Sequence, residues 1–124
     1  MIDKQDILEI VCKYYDLDYN LLSGKSRKSN IVKARQIYCY FCRVLTNSTL
    51  YSISAKIDKD HATVIHSVNK IKNEMELYVN LNIEIRLIHN IIITKTHNKN
   101  HLIPKHIDLL AISENYTKSF IQTI

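Results

Sequence analysis

Apolar side chains recur at helical spacing along most of the chain. Ile7, Ile10, Val11, Tyr14 and Tyr15 predict a first helix over residues 4–15, which Asp3 can cap. The segment DYNLLSG reads as a short turn closed by Gly24, and KSRKSN after it as a basic loop offering Ser29 or Asn30 as the next N-cap. A long helix then runs through Leu45. Its apolar side carries Ala34, Ile37, Tyr38, Phe41, Val44 and Leu45, and its other side Lys33, Arg35, Gln36 and Arg43. TNST breaks the pattern, with Ser48 or Thr49 as a cap, before Leu50, Ile53 and Ile57 predict a short helix ending near Lys56. The stretch DHATVIHSVNKI opens another amphipathic helix. Val64, Ile65, Val68, Ile71 and Met75 converge on one face, leaving Ala62, Thr63, His66, Asn69 and Lys70 outside. Residues 77–92 carry two apolar lines, one of Leu77, Leu81, Ile85, Ile88 and Ile92, the other of Ile83, Leu87 and Ile91. Two apolar faces need two partners. TKTHNKNHLIPKH reads as a basic linker containing Pro104, and Leu109, Ile112, Tyr116, Phe120 and Ile124 predict a last helix that covers the second face.

The pattern makes the fold all-α. One glycine and one proline in 124 residues leave few residues for the tight turns of a sheet and few breakers for long helices. This length suits one hydrophobic core, so residues 1–93 read as the domain and 94–124 as a linker and helical extension. Covering the second face of the 77–92 helix within the subunit or across a homodimer are both open. A short helix, a tight turn and a second amphipathic helix at 50–71 form the helix-turn-helix arrangement, whose second helix enters the major groove of DNA.

Charge sharpens that reading. The formal net charge is +5, and between Asp18 and Asp58 there is no acidic residue while Lys25, Arg27, Lys28, Lys33, Arg35, Arg43 and Lys56 occur. A polyanion is the partner such a window suits. If the first turn of the helix after Asp60 faces a duplex, its side chains meet base edges and its free N–H groups favour phosphate. An ideal helical wheel, however, puts His61 near the apolar edge. Other chemistry recedes. Three cysteines, an odd number, with no leading apolar segment point to a reducing cytoplasm. Cys39 and Cys42 sit inside a predicted helix and read as packing, and His97, His101 and His106 as part of a solvated linker, so no metal or other cofactor is expected. No apolar run is long enough to span a membrane. No grouping of nucleophile, base and acid suggests an enzyme.

Two motifs, ARQIYCYFCRVLT at 34–46 and DHATVIHSVNKI at 60–71, carry a resemblance. Residues 7–92 resemble the C-terminal DNA-binding domain of the bacterial replication initiator DnaA, a Trp-repressor-like helical fold. The resemblance implies binding to a short double-stranded box and regulation of replication or transcription. It places Asp60, His61, Ala62 and Thr63 at the bases with His66 and Lys59 close by, Arg27 or Lys25 in the minor groove beside Lys28, and Arg35, Gln36, Thr46 and Ser48, with Lys33, at the backbone. Ala62 stands where many relatives have Thr, Lys59 where they have Arg, and the turn at 54–60 is one residue shorter and lacks their glycines. No G-x-x-x-x-G-K-[ST] occurs, so the resemblance implies a stand-alone domain that binds no nucleotide and lacks the initiator's ATPase. The rival expectation is a helical interaction module that keeps the fold and uses its last helix to bind protein.

Overall fold

The computed structural model describes residues 2–100, with side chains through residue 96. The described residues form six helices and no strand: α1 (Lys4–Tyr14), α2 (Tyr19–Ser23), α3 (Ser29–Leu45), α4 (Leu50–Lys56), α5 (His61–Leu77) and α6 (Val79–Asn100). The all-α expectation holds.

Local chemistry sets most boundaries. The Asp3 side chain accepts from the Asp6 N–H and starts α1. Its other end closes where Asp16 takes the left-handed conformation at φ 53°, with Asp16 N–H donating to Lys13 O at 3.2 Å and Leu17 N–H to Cys12 O at 2.8 Å. That pair of reversed bonds satisfies carbonyls the helix would otherwise leave open. The DYNLLSG segment, expected as a turn, is the short helix α2, because Asp18 accepts from the Asn20 N–H and caps it. Gly24 does not close a left-handed turn; its φ is −80°. Neither Ser29 nor Asn30 caps α3, whose N-cap is Lys28 with no side-chain bond.

The core lies where α3 packs on α1, α4 and α5, with α6 closing one side. Ile7 and Val11 of α1, Ile37, Tyr38 and Phe41 of α3, Ile53 of α4, Val64 and Ile71 of α5, and Ile88 and Ile92 of α6 are sealed from solvent. Each such side chain contributes about 1.5–3 kcal/mol of burial free energy. Tyr38 Oη donates to Ile53 O at 3.2 Å, so the phenol is satisfied inside the core and ties α3 to the first helix of the helix-turn-helix. Several residues assigned to the apolar faces stay outside: Tyr14, Val44, Ile65 and Leu77 are exposed.

The last described helix departs from expectation at both ends. Tyr78 is extended at φ −120° and ψ 110°, so α5 runs to Leu77 and α6 starts at Val79. At the other end α6 continues through Asn100, across residues 94–100 that the sequence assigns to a linker. The helix expected around Leu109 to Ile124, and the dimer it would serve, fall outside the described residues. Among the described residues no helix is long and apolar enough to cross a membrane.

Candidate nucleic-acid interface

The helix-turn-helix is built without glycine. Thr49 Oγ1 accepts from the Ser52 N–H at 3.1 Å and starts α4. After Lys56 the chain reverses through Asp58, left-handed at φ 52°, with Asp58 N–H donating to Ala55 O at 3.2 Å and Lys59 N–H to Ser54 O at 2.9 Å. Asp tolerates this conformation better than most residues, since its short polar side chain bonds locally, which explains how the turn dispenses with glycine. Asp60 follows at once as the N-cap of α5. Its Oδ1 accepts from the Thr63 N–H and from Thr63 Oγ1, both at 2.8 Å. These bonds, the backbone one first, hold the Asp60 carboxyl below the usual carboxylate range.

The first turn of α5 thus presents a defined set of groups to solvent. Asp60, His61, Ala62 and His66 are exposed, and Thr63 is half-buried with its hydroxyl engaged by Asp60. His61, which the wheel puts near the apolar edge, stands outside instead, edge-on to Tyr51 with ring centres 6.2 Å apart. Tyr51 lies on α4 and is 70 % exposed. Sequence reasoning passed over it, although its place off the Leu50–Ile53–Ile57 line is a signal that it faces away from the core.

The basic loop lies against this unit. Lys25, Arg27 and Lys28 are exposed, with the Lys28 N–H donating to Ser26 Oγ at 3.3 Å. Two other cations on the expected contact list face the loop's own backbone. Arg35 is only 9 % exposed. Its Nε donates to Leu22 O at 2.8 Å and its Nη2 to Gly24 O at 3.3 Å and Ser26 O at 3.4 Å. Arg35, expected at a phosphate and on the solvent side of α3, is therefore a buried residue whose fork is engaged by the loop. Lys59 Nζ donates to Gly24 O at 2.6 Å and lies 3.4 Å from Ser23 O. Burial, then the neighbouring Arg35 charge, pulls the Lys59 amine below its ordinary value.

The remaining expected contacts separate into two places. Thr46 and Ser48 sit together at the α3–α4 junction: Thr46 Oγ1 bonds Cys42 O, accepts from the Ser48 N–H at 3.1 Å and lies 2.8 Å from Ser48 Oγ. Lys33 instead pairs with Glu84 of α6, which also accepts from Tyr15 Oη at 3.0 Å. Gln36 and Lys33 line a groove of about 630 Å³ with Lys70, Ile71 and Glu74, against the later turns of α5 and away from its first turn. Among the described residues no three His, Cys, Asp or Glu side chains gather as a metal site. Cys39 and Cys42 are buried, and burial pushes both thiols up to about 12. His97, His101 and His106 lie outside the described side chains.

Comparison with known proteins agrees with this arrangement. The family model described as the bacterial dnaA protein helix-turn-helix matches residues 4–71. The chain is 36 % identical over 88 residues to the chromosomal replication initiator protein DnaA of Bacteroides thetaiotaomicron, covering 70 % of this chain and 19 % of that protein. It is 38 % identical over 91 residues to the protein of the same name in Streptococcus thermophilus, covering 73 % and 20 %. With that of Thermoanaerobacter sp. it shares 43 % over 70 residues, covering 56 % and 16 %. The chain thus spans about a fifth or less of the length of these relatives.

Proposed function

The chain belongs to the bacterial DnaA helix-turn-helix family, and on that premise we propose that it binds a short DnaA-box-like site in double-stranded DNA. In this reading the first turn of α5 lies in the major groove and the basic loop follows the adjacent minor groove. His61, Ala62, Thr63 and His66, joined by Tyr51, meet base edges and thymine methyls, which is where sequence is read. Arg27 or Lys25 enters the minor groove. Thr46 and Ser48 sit at the backbone, where contacts set register without reading sequence. Bound in this way, the protein regulates replication or transcription by occupying, masking or bridging such sites in the cytoplasm.

The observation that carries the reading is the pairing of an exposed, well-capped first turn of α5 with a basic loop held against it by Lys59. The test starts by selecting duplexes from a random pool, then measures fluorescence anisotropy with the selected and a scrambled duplex. His61→Ala should cost about 1–3 kcal/mol on the selected duplex and relax selectivity there, with little change on the scrambled one. Equal affinity of the parent protein for both duplexes, or none for either, would instead favour a helical module that binds protein.

A further inference from the structure

The loop that carries Arg27 is joined through its own backbone to α3 and to the turn that leads into α5. Leu22, Gly24 and Ser26 offer their carbonyls to Arg35, while Gly24 and Ser23 offer theirs to Lys59. Arg35 comes from α3. Lys59 comes from the turn between α4 and α5, where its own N–H is already committed to Ser54 O. A further bond, Tyr19 Oη to Lys56 O at 3.4 Å, joins α2 to the end of α4. The two cations stand close enough for the charge of Arg35 to lower the Lys59 amine.

Bringing two like charges together and partly out of water is unfavourable unless each finds acceptors. Here backbone carbonyls supply them, and charge-assisted bonds of this type are roughly twice as strong as neutral ones. Arg35 is suited to the inner position because its planar fork can take several carbonyls at fixed angles, whereas Lys59 reaches one short bond on a flexible stem. Distances along the chain make the consequence specific. Gly24 is three residues from Arg27, and Lys59 adjoins the N-cap Asp60.

We infer that Arg35 and Lys59 are positioning residues that clamp the backbone of residues 22–26, and so set where Arg27 stands relative to the first turn of α5. The inference deepens the duplex-binding reading and rests on it for its consequence in recognition. The clamp itself is a property of the free protein. It assigns to both cations a role other than direct phosphate contact. A base-pair step advances the groove by only a few ångströms, so a loop free to shift by that much would read a different step or none.

The test uses the full chain and two readouts. Trypsin cleavage after Lys25, Arg27 and Lys28 reports the freedom of the loop without DNA. Lys59→Met should speed cleavage there at least tenfold at unchanged helical content, and Lys59→Arg should restore the parent rate. Arg35→Lys, which keeps the charge and loses the fork, should also speed it. On DNA, Lys59→Met should reduce the ratio of selected to scrambled affinity at least tenfold, and adding Arg27→Ala to it should cost much less than Arg27→Ala does alone. Unchanged cleavage in Lys59→Met would overturn the inference. So would a uniform loss on both duplexes with a flatter salt dependence, which is the signature of a direct phosphate contact. A parent protein that selects no duplex would sink the duplex reading alone, and the cleavage rates would still decide the clamp.

Discussion

Asp60 uses one carboxylate oxygen to close the amino end of α5, accepting from both the N–H and the hydroxyl of Thr63. Its folded-state pKa lies below the ordinary 3.8, so this contribution is present above that value and is lost as pH falls through the lower folded one. Hydrogen exchange should show the protection of the Thr63 amide holding down to about pH 4 and falling below it, while core amides of α3 stay protected. Loss of both together would mean that the cap has no separate titration. The thiols show the opposite shift. With Cys39 and Cys42 raised to about 12 by burial, almost no thiolate exists at pH 8. Native protein should therefore react with iodoacetamide at these positions no faster than it unfolds, as read by mass spectrometry. Fast labelling of either would contradict the packing role that their place inside a helix suggested, against the C-x-x-C spacing.

At the scale of elements, the joints carry the lesson. The same reversed-bond motif ends α1 at Asp16 and α4 at Asp58, each time with an aspartate rather than a glycine at positive φ. A β-branched side chain clashes in that conformation. Asp58→Val should cost about 1–2 kcal/mol in urea unfolding, and it should weaken DNA binding by disturbing the angle between α4 and α5. No stability change would show that the turn relaxes to another conformation. Periodicity predicted α1, α3, α4 and α5 to within a residue or two, because each buries one continuous stripe. It missed α2, whose five residues are too few to show a period and whose evidence is only the Asp18 cap. It also ended α6 early. Polar Thr96 reads as linker, yet in the helix its Oγ1 donates to Ile92 O at 2.7 Å and is buried, so the polar side chain is satisfied without leaving the helical path.

Across the whole molecule, the basic window from residue 19 to 57 is divided by the fold into different tasks. Lys25, Arg27 and Lys28 face solvent, Arg35 turns inward to backbone carbonyls, and Lys33 joins Glu84 to couple α3 with α6. In the proposed complex the exposed Lys25, Arg27 and Lys28 displace counterions from the duplex, whereas Lys33 is held by Glu84. Arg27→Ala should therefore weaken binding and flatten the slope of log K against log salt by about 1, while Lys33→Ala should leave the slope unchanged. Anisotropy titrations at several salt concentrations measure both. An equal flattening by Lys33→Ala would mean that the Glu84 pair opens on binding and releases the cation to DNA.

What could be read from residue order was whatever depends on near neighbours: helical stripes, aspartate and threonine caps, the dearth of breakers, and the two motifs that place the chain in its family. Free energies of that sort arise within a few residues, so the pattern reports them directly. Arg35 facing the loop, Tyr51 standing beside His61, and Lys59 reaching back to Gly24 join residues 9 to 35 positions apart. A helical wheel says which way a side chain leaves its helix but not what comes to meet it. Long-range packing of α3, α4 and α5 made that choice, and with it separated the cations bonded to the loop backbone from those left exposed to solvent.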